Sequence, residues 1–188
     1  MSKDIWKPGN MLYPIPVVMV SCGSENARNN IITVAWAGTI CSDPAMVSIS
    51  VRPERHSYNI IRESGEFVIN LVTKDLAYAT DWCGVKSGRD VDKFEKLNLT
   101  AGKANALEYA PIIVESPVNI ECKVKDVLEL GSHHMFVAEV KSVQVSGEHM
   151  NETGKFEFNK LGPVAYSHGE YFELGEKLGK FGYSVKKK

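Results

Sequence analysis

Val118-Asn119-Ile120-Glu121-Cys122-Lys123-Val124-Lys125 alternates without a break, Val118, Ile120, Cys122 and Val124 on one side and Asn119, Glu121, Lys123 and Lys125 on the other. Successive side chains of a strand point to opposite faces, so the register predicts one apolar and one polar face, as in a half-solvated antiparallel strand. Residues 45–52 repeat it, with Ala45, Val47, Ile49 and Val51 opposed to Met46, Ser48, Ser50 and Arg52. Working outward, residues 16–21, 31–37, 66–72, 135–145 and 163–168 are rich in Val, Ile, Phe and Thr and bounded by Gly, Pro, Asn or Ser, which predicts further strands. Seven or eight strands in 188 residues favour a barrel or sandwich. Helical signals are fewer, at residues 57–63 before Gly65, 74–82 before Gly84, and 89–97; they read as connectors, not as a second layer. Strands so close in sequence leave little room for repeated βαβ crossovers, which disfavours a doubly wound nucleotide fold.

The composition narrows the class. A chain of 188 residues is expected to form a single domain. Twenty-two Lys and Arg against 23 Asp and Glu give a net charge of −1, no broad footprint for nucleic acid, so any bound anion should be small and locally held. Cys22, Cys41, Cys83 and Cys122 form no C-x-x-C pair and read as reduced, mostly packing thiols. The amino terminus lacks an apolar leader segment and the apolar run 13–20 is interrupted by Pro14 and Pro16, so a cytoplasmic protein without a membrane partner is expected. There is no internal repeat, and Lys186-Lys187-Lys188 reads as a frayed tail.

Three clusters carry possible chemistry. In Ser48-Ile49-Ser50-Val51-Arg52-Pro53-Glu54-Arg55-His56-Ser57 a strand with hydroxyls on one face runs into a turn bearing two arginines and a histidine, and Ser57 stands where a helix N-cap is expected. Charged donors, a hydroxyl and free backbone N–H groups suit a phosphate ester. The alternative is a solvated turn, with the arginines paired to Glu54 and Glu63. In residues 29–39 small side chains surround Trp36, which would let a flat ligand approach the backbone; the alternative is a core tryptophan. The third cluster is Gly131-Ser132-His133-His134, whose adjacent histidines should face opposite ways, and no Cys/His spacing for a metal occurs elsewhere. P-loop, G-x-G-x-x-G and G-x-S-x-G motifs are absent, and no catalytic nucleophile is assigned. Cys41 is the cysteine nearest these blocks in sequence, and a packing role is the expectation for it.

Taken in order, residues 30–37, Cys41-Ser42-Asp43-Pro44 through Ser50, Arg52-Pro53-Glu54-Arg55-His56-Ser57, Gly65-Glu66-Phe67-Val68-Ile69-Asn70, Asp92-Lys93-Phe94, Gly131-Ser132-His133, Pro163-Val164-Ala165-Tyr166 and Gly169-Glu170-Tyr171-Phe172 resemble the flavin reductase-like family, particularly flavoredoxins, over residues 10–184. The resemblance implies a mainly β fold with short helices, an FMN-binding split β-barrel, working as a homodimer with FMN held non-covalently near the interface. Carried over by resemblance, Asn30, Thr33, Ala35 and Trp36 would line the isoalloxazine. Ser50, Arg55, Ser57 and Lys93 would surround the ribityl phosphate, and His133 and Tyr166 would complete the site. Ser57 stands where threonine is frequent, and His56 and Tyr166 where other aromatics occur. The implied activity is oxidoreduction through FMN, fed by NAD(P)H or a redox-protein donor; the alternative is an electron carrier without nicotinamide-dependent turnover.

Overall fold

The computed structural model describes residues 2–185; the lysine tail lies outside them. Twelve strands are found among these residues, several of only two residues, against the seven or eight expected. They are β1 (Ile15–Pro16), β2 (Val18–Ser24), β3 (Ala27–Val34), β4 (Ala37–Ser42), β5 (Ala45–Val51), β6 (Glu66–Leu71), β7 (Ala101–Gly102), β8 (Ile112–Ile113), β9 (Val118–Glu129), β10 (His134–Val145), β11 (Val164–Ser167) and β12 (Glu170–Glu173). Helices α1 (His56–Ser64), α2 (Ala77–Val85) and α3 (Lys93–Leu97) interrupt them.

Seven strands form one antiparallel sheet in the order β3-β2-β6-β9-β10-β5-β4, and β1-β11-β12 form a second, smaller sheet. The large sheet is curled. Val18, Val20 and Cys22 of β2, Ile32 and Val34 of β3, Val47, Ile49 and Val51 of β5, Phe67 and Ile69 of β6, Cys122 of β9 and Phe136 of β10 meet in one buried cluster. Tyr58, Ile60 and Ile61 of α1 join this cluster. The period-two reading of β5 holds, since Val47, Ile49 and Val51 are buried and Met46, Ser48 and Ser50 only half so. This is a mainly β, split-barrel architecture. Among the described residues no helix is long and apolar enough to cross a membrane.

Three sequence expectations need correction. The helices are not mere connectors: Leu76, Ala79 and Cys83 around α2 and Phe94 of α3 bury Met19 and Ile31 on the outer face of β2 and β3. The polar face of β9 is not solvated at its first half, because Asn119 and Glu121 are buried. A strap, residues 103–111, is bonded to Glu121, which accepts the backbone N–H groups of Asn105 (2.9 Å) and Ala106 (2.6 Å), and to Glu66 of β6, which accepts those of Glu108 (3.0 Å) and Tyr109 (2.9 Å), while Asn119 donates to Asn70 Oδ1 (2.8 Å) and the Ile113 carbonyl (2.9 Å). Carboxylates with two donors each can be buried where unpaired ones could not. Finally, the strand expected over 31–37 ends at Val34; Ala35 and Trp36 form a bend, and β4 starts at Ala37.

Candidate functional site

The bend at Ala35-Trp36 is held by Trp36, whose carbonyl accepts the N–H of Ser50 across the β3–β5 gap at 2.8 Å. It opens a slot of about 520 Å³ lined by Thr33, Ala35, Trp36, Ser50, Arg52, Arg55, His133 and Tyr166, among others. Trp36 is half-buried and not a core anchor, and its ring stacks on that of His133 at 6.3 Å and 26°. His133 precedes β10, whereas His134, within β10, turns away to Tyr58, with 2.8 Å between Nδ1 and Oη. The two histidines therefore face different surroundings, as expected, and no cluster of three metal-ligating groups exists among the described residues. Burial, then the cations of Arg52 and Arg55, hold His133 below the ordinary histidine pKa.

Tyr166 reaches the slot from the small sheet. Its strand β11 pairs with β1 at Ile15, and its ring lies edge-on to Tyr171 at 5.6 Å and 64°.

A second cavity, of about 260 Å³, adjoins the slot and shares Ile32 and Arg55 with it. Asn30, Ser57 and Lys93 lie at its buried end, each no more than 3% exposed, and His56, Lys86 and Arg89 also line it. Ser57 is not the N-cap of α1. The helix begins at His56 with Arg55 at the cap and no side-chain cap bond. The Ser57 hydroxyl is instead turned inward, where it accepts the Asn30 amide N–H at 2.8 Å. The Lys93 ammonium donates to the carbonyls of Ile31 and Cys83, each at 2.7 Å, and α3 is capped beside it by Asp92, which accepts from Phe94 and Glu95. One of its three N–H donors is left over. Burial, with Arg55 adding to it, holds Lys93 below the ordinary lysine pKa. His56 is depressed as well, by burial and then by Arg89, Arg28 and Lys93, with Asp90 opposing. A pocket whose own cations disfavour further positive charge is suited to an anion.

All ten sequence-derived residues line one cavity or the other. Asn30 belongs with the cationic cavity and Ser50 with the slot. Thr33 is committed to the backbone, its hydroxyl donating to the Thr80 carbonyl. Arg52 does pair with Glu54, at 3.4 Å, but Glu63 accepts from Ser24 and Asn26 instead of an arginine. Residues 84–89, with Lys86, Ser87 and Arg89, make up the outer wall of the cationic cavity and were not anticipated. The signal for them was a basic run with two glycines at the end of a helix. The cysteine at the site is Cys83, in the cavity wall, not Cys41; burial pushes the Cys83 thiol up to about 11 and that of Cys22 up to about 12, so both are packing thiols at neutral pH. All four cysteines are free.

Comparison with known proteins shows the family. The flavin reductase like domain matches residues 11–175, so the chain belongs to that family. The solved flavoredoxin of Desulfovibrio vulgaris (Miyazaki F) is 31% identical and superposes with a TM-score of 0.90, covering 98% of this chain and all of that one. The flavoredoxin from Methanosarcina acetivorans is 27% identical with a TM-score of 0.85, at the same coverage. A relative in Rhodococcus opacus, the reductase component of 4-nitrophenol 4-monooxygenase/4-nitrocatechol 2-monooxygenase, is 27% identical over 60% of this chain and 56% of its own length. The chain is a flavin-linked oxidoreductase of the flavoredoxin type.

Proposed function

We propose that the chain binds FMN non-covalently, its ring in the slot beside Trp36 and its phosphate in the cationic cavity, and passes electrons from NAD(P)H or a redox-protein donor to an acceptor. The observation that carries this reading is the pairing of a half-buried slot with a separate cationic, hydroxyl-bearing cavity, joined at Ile32 and Arg55. A flat ring with a phosphate tail needs both halves in that order. When bound, the flavin supplies hydride acceptance and one- or two-electron delivery. The chain's own residues bind and orient. Arg55 reaches both chambers, Ser57 and the spare N–H of Lys93 provide donors for phosphate oxygens, and the Trp36–His133 pair lines the slot where the ring would lie.

Titration with FMN and riboflavin tests the reading. FMN should bind more tightly, and Ser57→Ala should weaken FMN by about 1–3 kcal/mol with little effect on riboflavin. Equal affinity for the two flavins would sink the phosphate assignment. Lys93→Ala should weaken FMN comparably but also strip the donor from two buried carbonyls, so Ser57→Ala is the cleaner probe. Anaerobic addition of NADH and NADPH to the loaded protein then separates a nicotinamide-driven reductase, whose flavin absorbance bleaches, from a carrier that responds only to dithionite.

The working unit we propose is a homodimer. Met11 and Leu12 are 57% and 87% exposed beside the slot, and Leu178 and Phe181 are more exposed still, which is apolar surface that a second copy would cover. A monomeric mass by sedimentation with FMN bound would overturn this.

A further inference from the structure

Tyr166 enters the slot from the small sheet, and the side chain packed against it leads out of the slot to helix α2. Tyr166 of β11 stands directly opposite Tyr171 of β12 in the antiparallel register, so the two rings share a face, and they meet edge-on at 5.6 Å and 64°. The Tyr171 hydroxyl donates to Asp81 Oδ1 of α2 at 3.1 Å. Among the described residues this is the one side-chain hydrogen bond between the β11–β12 hairpin and the rest of the chain. The hairpin backbone is tied down near its start, where the Gly162 carbonyl accepts the Lys74 N–H at 2.8 Å and the Val164 N–H donates to the Val72 carbonyl at 3.1 Å. Burial, then Asp81, pushes the Tyr171 phenol up to about 12, so it stays a donor throughout the neutral range. Asp81 is exposed, and among the described residues it forms no ion pair and no other side-chain hydrogen bond. Its neighbours on α2 hold other parts of the site. The Thr80 carbonyl accepts the hydroxyl of Thr33 in the slot, and the Cys83 carbonyl accepts the ammonium of Lys93 in the cationic cavity at 2.7 Å. Of these three α2 residues, Asp81 is the one that acts through a side chain.

We propose that Asp81 is a positioning residue for the flavin ring: through the Tyr171 hydroxyl it holds Tyr166 at the slot, so that an exposed carboxylate of α2 sets how tightly the ring is retained. This rests on the FMN reading and extends it to two residues, Asp81 and Tyr171, that line neither cavity. Tyr166 lines the slot and not the cationic cavity, so the effect of Asp81 falls on the ring and not on the phosphate. Loss of the bond therefore weakens FMN and riboflavin alike, the opposite of the pattern expected for Ser57→Ala.

Equilibrium titration with FMN and with riboflavin, on the wild type and on Asp81→Ala, Asp81→Asn, Tyr171→Phe and Tyr166→Ala, tests it. Asp81→Ala and Tyr171→Phe should each weaken both flavins by about five- to tenfold, the worth of one hydrogen bond to a charged acceptor. Asp81→Asn keeps an acceptor oxygen and should restore affinity to within about threefold of wild type. In the Tyr166→Ala background, adding Asp81→Ala should cost less than about twofold more, because the residue through which Asp81 acts is gone. A merely structural role for this exposed side chain would not follow that dependence on Tyr166. Flavin affinities unchanged in Asp81→Ala would overturn the assignment and leave the FMN reading standing. So would a loss confined to FMN, a loss as large in Asp81→Asn as in Asp81→Ala, or a loss that persists in full without Tyr166. Failure of the wild type to bind either flavin would overturn the flavin-site reading itself, and this assignment with it.

Discussion

Gly88→Ala should damage both the fold and the site, and the size of the effect can be worked out from one contact. Gly88 is buried and its φ lies outside the left-handed region, so alanine meets no backbone strain. The added methyl would, however, stand 2.6 Å from the Asn30 amide carbon and 2.9 Å from its nitrogen. Asn30 is 3% exposed and its amide donates to Ser57, so it cannot swing aside freely. Overpacking costs about 1–3 kcal/mol and the displaced hydrogen bond about 1 more, giving about 2–4 kcal/mol of lost stability. Urea unfolding of Gly88→Ala, Asn30→Ala and the double variant forms a thermodynamic cycle. Removing the Asn30 amide opens the space the new methyl needs, so Gly88→Ala should cost about 1–2 kcal/mol less in the Asn30→Ala background than in the wild type. FMN affinity should fall in Gly88→Ala because the displaced loop carries Lys86, Ser87 and Arg89. Strictly additive losses, or a single variant within about 0.5 kcal/mol of wild type, would refute the argument that this close approach holds the loop against β3.

His56 titrates low in the folded protein, by burial and by Arg89, Arg28 and Lys93, with Asp90 opposing. Its folded pKa lies below the unfolded value of 6.5, so its contribution to stability is intact above pH 6.5 and is lost as pH falls through the folded pKa. A bound phosphate should offset those cations and raise the His56 pKa, which ¹H NMR titration with and without FMN reads directly; an unchanged or lower value with FMN would place the phosphate away from this cavity. Glu121→Ala should leave the N–H groups of Asn105 and Ala106 and the Gln144 amide without their acceptor, costing about 3 kcal/mol and accelerating hydrogen exchange at Asn105 and Ala106, with FMN affinity unchanged. Protected amides in that variant would show that the strap is held by its apolar residues Ala104, Leu107 and Ala110 alone.

The parts of the fold legible in the sequence are those in which one strand face meets the core and the other meets water. Residues 45–51 are such a case, and the apolar half of 118–125 is another. The outer face of β9 was not legible, because Asn119 and Glu121 look solvated in any alternating pattern. Glu121 is held by backbone N–H groups 15 or 16 residues earlier, and Asn119 donates to Asn70 and to the Ile113 carbonyl; backbone partners leave no mark in a sequence. The outer helical layer was missed for a related reason. Met19 and Ile31 lie on strands apolar on both faces, and a two-sided apolar run does not say what covers its second side. At the site, the ten residues identified through resemblance all line the two cavities, Asn30 beside Ser57 and Lys93 in one and Ser50 beside Trp36 in the other. That division depends on the bend at Ala35-Trp36, which a strand drawn straight through to residue 37 conceals.

Lys93 shows how the architecture reconciles a buried cation with a site open to ligand. An ammonium 3% exposed would ordinarily need a carboxylate, and none is bonded to it. Two carbonyls take its place, one from β3 and one, Cys83, near the carboxyl end of α2, where the helix dipole favours positive charge. Carbonyls satisfy donors without cancelling the charge, whereas a carboxylate would have closed the cavity electrostatically. The remaining desolvation cost shows in the depressed Lys93 pKa, and a bound anion would relieve it. On the proposed assignment, phosphate binding and folding would be linked through one side chain: the protein should be most stable with its cationic cavity filled, by an increment that grows with ligand concentration through mass action. On the same assignment a flavin without phosphate would fill the slot but leave this cost in place, so that the phosphate would contribute retention of the cofactor and the ring its chemistry.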